Sequence, residues 1–203
     1  MQVENHKEEV PFSYYVEQFQ ALQPEQALKR WPGLTFDGEK FTLRLLDRRY
    51  TVAWPSAEVT PADGGPLPPL PEQTFLLRIL LEGRDAAPQG DYKTFREMPW
   101  GEMYVGPFTG RVLTRAAFTF GGRLDAFRAA CEKMGAMPLP HGDAGYQFDF
   151  FGRFTLRLLL WAGDEEFPPS AQLLYSDNFQ EGFAPEDRVV AGDLLIGHIK
   201  AKM

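Results

Sequence analysis

One cysteine, Cys131, and three histidines are the whole supply of thiolate and imidazole metal ligands in this chain of 203 residues. A lone cysteine excludes an intramolecular disulfide, a Cys-ligated iron–sulfur cluster and a zinc knuckle made from this chain alone. Positive charge is also scarce. The 21 Lys and Arg against 28 Asp and Glu leave a formal net charge of −7. No basic field is present to neutralise phosphates, so nucleic acid is not expected as a partner. No apolar run approaches the roughly 20 residues that span a bilayer, and no membrane association is expected. The opening Met1-Gln2-Val3-Glu4-Asn5-His6-Lys7-Glu8-Glu9 is polar, the opposite of a secretory signal. A soluble cytoplasmic protein is the expectation. There is no Gly-rich phosphate loop after a strand, no Gly-x-Ser-x-Gly elbow and no His-Glu-x-x-His helix.

What the chain does have is repetition. Gly33-Leu34-Thr35-Phe36-Asp37 returns as Gly145-Tyr146-Gln147-Phe148-Asp149, and Phe41-Thr42-Leu43-Arg44-Leu45-Leu46 returns letter for letter as Phe154-Thr155-Leu156-Arg157-Leu158-Leu159. Pro55-Ser56-Ala57 matches Pro169-Ser170-Ala171, Pro71-Glu72 matches Pro185-Glu186, and Leu80-Leu81-x-Gly83 matches Leu194-Leu195-x-Gly197. From Pro55 onward the step is a constant 114 residues. Five anchors in register point to an internal duplication. Repeat one covers about 12–83 and repeat two about 122–201. The stretch of about 84–121 between them has no mate.

Each repeat reads as helix, three strands, helix. Ser13 is expected to cap a helix carrying Tyr15, Phe19 and Leu22, and Pro24 to open a further turn with Ala27, Leu28 and Trp31. Leu124, Phe127, Cys131 and Met134 share one helical face that ends at Gly135, which makes Cys131 a core residue. The alternation in Phe41–Leu46 and Phe154–Trp161 predicts strands, with Arg44 and Arg157 lying along the second face of each sheet. Pro61–Pro71 reads as a stiff connection leading to a helix over Pro71–Leu81, and Pro185 opens a closing helix to Lys200 whose last turn holds His198. In the single-copy stretch, Gly106-Pro107-Phe108 opens a helical run that stops at Gly121-Gly122. The expected fold is α+β: two such units packed about a pseudo-twofold into one compact domain, 1–203.

Two segments carry a family resemblance. Gly163-Asp164-Glu165-Glu166-Phe167-Pro168-Pro169-Ser170-Ala171-Gln172-Leu173-Leu174-Tyr175, with a helix start at Ala184-Pro185-Glu186-Asp187, resembles the C-terminal signature of a prokaryotic domain-of-unknown-function family, number 3786. Phe95-Arg96-Glu97-Met98-Pro99-Trp100-Gly101 with Tyr104, Gly106 and Phe108 resembles that family's central segment. The resemblance runs from about Tyr14 onward. It implies a domain with no established activity and therefore supplies no catalytic residues. Longer relatives resemble fusions to a four-cysteine iron–sulfur module like that of corrinoid and carbon monoxide dehydrogenase proteins of anaerobes. This chain has no such module.

The candidate residues come from comparing the repeats. Asp164, Glu165, Glu166, Phe167 and Pro168 stand where repeat one has Tyr50, Thr51, Val52, Ala53 and Trp54. Two prolines and three carboxylates predict that this stretch sits at an edge or leaves the sheet. The acids suit a protected edge, a hard cation or acid–base work. If the repeats face one another, Arg48 or Arg49 is placed to pair with Glu165 or Glu166. His141-Gly142-Asp143 is a second weak metal candidate, alongside Asp164 and Glu165, with a turn as its plainer reading. The unmatched segment adds Trp100, Glu102 and Tyr104. The favoured function is non-catalytic binding of a small molecule or partner protein between the repeats, at Trp100, Glu102, Tyr104, Asp164, Glu165 and Glu166. Two alternatives stay open: a metal- or carboxylate-dependent enzyme using Asp164, Glu165 and Glu166, and a protein that docks on a corrinoid or iron–sulfur partner. The oligomeric state is left open by the sequence.

Overall fold

The repeated hexapeptide becomes an interior strand of two separate antiparallel sheets, and in both its alternate residues are buried. Phe41, Leu43 and Leu45 in one, and Phe154, Leu156 and Leu158 in the other, are each at most 4% exposed. A period of two puts one apolar stripe on one face of a strand, and that face has to be covered. The computed structural model describes residues 6–203, and the opening residues 1–5 lie outside it. The chain divides into two compact units, Met1–Asp85 and Ala86–Met203. The boundary falls just past Gly83, so the unmatched stretch belongs with the second unit.

In the first unit, α1 (His6–Gln20) and α2 (Pro24–Arg30) precede a four-stranded sheet of β1 (Thr35–Phe36), β2 (Lys40–Leu45), β3 (Arg48–Ala53) and β4 (Val59–Pro61), followed by α3 (Leu70–Leu81). The strands pair in sequence order. Asp37 closes the first hairpin by accepting the N–H groups of Glu39 and Lys40 at 2.9 Å, and Gly38 supplies a φ of 101°. The β2 strand stops one residue short of the expected Leu46, whose φ of 52° makes the turn. Ser13 caps nothing: it lies inside α1, which begins upstream and contains Pro11. Pro11 is tolerated because the carbonyl it leaves unbonded belongs to Lys7, an exposed residue. Pro24 opens α2 as expected, and the Trp31 indole N–H that follows donates to the Ile79 carbonyl at 2.8 Å. Tyr50, fully buried, donates to the buried Glu72 carboxylate, so Glu72 is a core acceptor as well as a first-turn acid.

The second unit is a five-stranded antiparallel sheet with helices on one face. Its elements are β5 (Tyr92–Thr94), a single 3₁₀ turn (Phe95–Glu97), α4 (Gly101–Phe108), α5 (Arg115–Phe120), α6 (Leu124–Lys133), β6 (Met137–Leu139), β7 (Ala144–Phe151), β8 (Phe154–Trp161), β9 (Ser170–Ser176), α7 (Phe179–Gly182) and α8 (Pro185–Lys202). The strand order is β5-β9-β8-β7-β6. The helical run starts at Gly101, earlier than the expected Gly106, with Pro107 inside it. The carbonyl that Pro107 cannot serve is that of Met103, an exposed residue, and the next turn widens to a π-helix over Thr109–Thr114. On the inner face, Phe127 of α6 meets Tyr146 edge-on at 5.7 Å, and Phe108 lies 6.3 Å from Tyr175. Gly192 of α8 lets Val112 and Leu173 approach to where a Cβ would be only 2.8 and 2.9 Å away. The chain is thus α+β, with two antiparallel sheets.

The sequence correspondence is not matched by secondary structure at β3. The residues that match β3 are 162–167, and they form no strand. There the chain leaves the sheet before Pro168 and Pro169, and β9 pairs directly with β8. The described helices include none long and apolar enough to cross a membrane.

Cys131 is fully buried in α6, and burial, the largest influence, pushes its thiol above the ordinary value. The native protein should therefore react with a thiol reagent at least about a hundredfold more slowly than a cysteine peptide. A peptide-like rate would contradict a core role for this residue.

Candidate functional site

The central segment is held by a reciprocal cap, a ring stack and a close glycine contact. Thr94 and Glu97 form a reciprocal cap: the Glu97 carboxylate accepts the Thr94 N–H and hydroxyl at 2.7 Å each. Phe95 is buried and stacked on Phe108, with centroids 4.3 Å apart and planes 9° from parallel. Gly101 sits against the turn below it, and a Cβ there would fall 2.1 Å from the Phe95 carbonyl oxygen. Between these fixed points the Pro99 carbonyl accepts Nη1 of Arg188 at 2.9 Å. Arg188 is 2% exposed, and its Nε donates to the Phe183 carbonyl at 3.1 Å. Burial, the largest influence, lowers its pKa from the ordinary guanidinium value.

The consequence is Trp100. It stands at the N-terminus of α4 with φ 65° and is 66% exposed. A left-handed backbone at a bulky residue costs about 1–2 kcal/mol. The flanking Pro99 and Gly101 contacts hold it there. Met103, one turn along, is 72% exposed. Tyr104 donates to the Glu186 carboxylate at 2.5 Å, and that bond raises the Tyr104 phenol above its ordinary value. Glu102 is paired with Arg96 through two contacts of 2.8 and 3.2 Å, both side chains being exposed. A pair in water contributes little beyond local order. Trp100, Glu102 and Tyr104 are therefore one local surface.

The acidic run lies elsewhere. Asp164 turns its own loop: Oδ1 accepts the N–H groups of Phe167 at 2.7 Å and Glu166 at 2.9 Å, and its own N–H donates to the Phe167 carbonyl. Those two donors hold its carboxyl below the ordinary value. Glu165 and Glu166 are exposed. Among the described residues no hydrogen bond or ion pair joins the three acids to Trp100, Glu102 or Tyr104. Asp143 works in the same loop region. Its carboxylate accepts the Ala162 N–H at 2.8 Å, and its carbonyl accepts Arg128 at 2.6 Å. His141 is exposed in the preceding turn. Among the described residues no group of three or more His, Cys, Asp or Glu is arranged to hold a metal ion. Arg48 is engaged inside the first unit, where it pairs with Asp63 at 3.3 Å.

Three features escape a reading of the sequence. Arg188 is the first. A cation in the opening turn of a helix opposes the macrodipole, and that anomaly was the available signal. The second is Glu186, whose role depends on Tyr104, 82 residues earlier. The third is Ser176-Asp177-Asn178, all buried. Asn178 donates to the Ala86 carbonyl at 2.8 Å and accepts from Ser176, while Asp177 accepts the N–H groups of Gln89 and Asp91. A polar depression of about 70 Å³ lies beside them, lined in part by Lys93, Gln180 and Glu181.

The Asp164 carboxyl is depressed in the folded state, so its contribution to stability is present above the unfolded carboxyl pKa and is lost as pH falls through the folded one. Asp164→Ala should lower the thermal midpoint slightly near neutrality, and the difference should shrink in acid. A difference independent of pH would contradict the turn-capping role.

No curated protein and no solved structure matches this chain. A family model does match, over residues 23–198, and its description is Domain of unknown function (DUF3786). The match takes in both the Phe95–Tyr104 segment and the Gly163–Tyr175 segment, together with Glu186 and Arg188, which bond to the first of them. The chain belongs to the DUF3786 family.

Proposed function

We propose that this chain is a non-catalytic binding domain, built on a duplicated strand unit, that docks on a partner protein through Trp100 and Met103. The presentation of Trp100 carries the reading. An indole 66% exposed, on a left-handed backbone fixed from below by buried Arg188 and by Gly101, is anchored at its base and open at its tip. Large exposed aromatics of this kind supply most of the energy in many protein interfaces. A partner protein is favoured over a small molecule because Trp100 and Met103, one turn apart, are both large exposed apolar side chains. The duplicated origin is supported by the two Phe-Thr-Leu-Arg-Leu-Leu strands, identical in sequence and alike in burial.

The test places a photo-crosslinking residue at Met103 in the full chain, expressed in its native cells. A discrete adduct is expected, and Trp100→Ala should abolish it at an unchanged thermal midpoint, since loss of a central Trp costs about 2 kcal/mol or more, roughly thirtyfold in affinity. Glu165→Gln with Glu166→Gln should leave the adduct intact. An adduct that survives Trp100→Ala contradicts the proposal. Loss through the carboxylate substitutions alone moves the site to the acidic loop.

A further inference from the structure

Away from Trp100, on the face of the second sheet that the helices do not cover, one guanidinium is held in place without an acidic partner. Arg157 of β8 lies with its Cζ 3.5 Å from the centroid of the Tyr92 ring. Its Nε donates to the Gln147 amide oxygen at 2.9 Å. The same oxygen accepts the Tyr92 hydroxyl at 2.9 Å, and that hydroxyl also bonds Thr155 Oγ1 at 2.7 Å. Tyr92 is therefore pinned at its tip and lies along the sheet, with the guanidinium stacked on it. Strand register makes the arrangement possible: Gln147 pairs with Arg157 and Thr155 is two residues along β8, while Tyr92 comes from the edge strand β5.

The fixing uses Nε and one face of the guanidinium. It leaves the Nη1–Nη2 edge, the edge that matches two oxygens of one oxyanion. Among the described residues no carboxylate lies within ion-pair distance of Arg157. Arg44, at the matching position of the first repeat, instead donates to the nearby Leu46 carbonyl and is exposed. The stacked form thus depends on Tyr92, which belongs to the segment without a mate.

We propose that Arg157 and Tyr92 form a binding site for an organic monocarboxylate with an apolar body. The neighbours decide between oxyanions. Leu174 pairs with Arg157 across β9, and Met137 pairs with Gln147 across β6, so apolar side chains flank the stack on the same face. Met137 is 52% exposed. Asp149, also exposed on this face, lies opposite Thr155 in the pairing of β7 with β8. Its charge, added to the net −7 of the chain, disfavours a dianion and is tolerable to a single carboxylate. An acid such as a medium-chain fatty acid would place its oxygens on Nη1 and Nη2 and its chain over Leu174 or Met137. This site is independent of the Trp100 surface, and each stands without the other.

The test follows the Arg Nε–Hε signals of the full chain by NMR during titration with hexanoate, acetate and inorganic phosphate at constant ionic strength. Hexanoate should shift the Arg157 signal saturably, and bind more tightly than acetate and than phosphate. Arg157→Gln should abolish binding, read from the backbone amides of β8, and Arg44→Gln should leave it unchanged. Arg157→Lys, which keeps the charge and the stem, should weaken it at least about fivefold by removing the paired donors. A linear, unsaturable shift overturns the proposal. So does phosphate binding as tightly as hexanoate, or an affinity unchanged in Arg157→Lys.

Discussion

The buried guanidinium of Arg188 is the constraint around which the second unit is arranged. A charge taken out of water is costly unless every donor finds an acceptor. Here backbone carbonyls serve, those of Phe183 and Pro99. A carbonyl is fixed by its own chain, so the requirement passes into the backbone. At Phe183 it fixes the approach to α8. At Pro99 it fixes the turn before α4, and with it the left-handed conformation of Trp100. The Arg188 carbonyl in turn accepts the hydroxyl of fully buried Tyr175 at 2.7 Å, which ties α8 to β9. One residue thus links the sheet, through its backbone carbonyl, to the closing helix and the turn that bears the exposed indole, through its side chain.

This arrangement gives the two family segments a common physical reason. Phe95 and Phe108 stack and lie near Tyr175. Gly101 admits the Phe95 carbonyl, and Gly121, at the end of the same helical run, admits Pro169, whose Cβ would be 2.5 Å from an added Cβ. Tyr104 reaches Glu186. The aromatic, glycine and proline positions are packing requirements, and the acidic loop is a turn that caps itself through Asp164. What packing does not require is an exposed Trp100 or Met103, and burial would have stabilised either by about 2 kcal/mol.

Much of the fold was legible in the sequence because strand and helix signals are local. The period-two burial of Phe41, Leu43 and Leu45, the Asp37-Gly38 turn, Pro24 and Pro185 at helix starts and Gly135 at a helix end all rest on residues within one turn or hairpin of each other. The departure of Asp164–Pro168 from the sheet was legible for the same reason, since proline cannot serve a ladder. Ser13 and Gly106 misled because a cap residue and a Gly-Pro pair were each read as a helix start, whereas Pro11 and Pro107 each deprive only a carbonyl of an exposed residue. Of the site, Trp100, Glu102 and Tyr104 were visible as an unmatched segment. Arg188 and Glu186 were not, because their partners lie more than 80 residues away and only tertiary structure brings them together.

The central claim, that buried Arg188 holds the Trp100 turn, is tested most directly by hydrogen exchange on Arg188→Lys. Lysine keeps a charge but cannot reach both carbonyls with the same fork. The account predicts faster exchange confined to the amides of residues 98–104, while β7, β8 and β9 keep their protection. Unchanged exchange over 98–104 in a folded Arg188→Lys protein would contradict it.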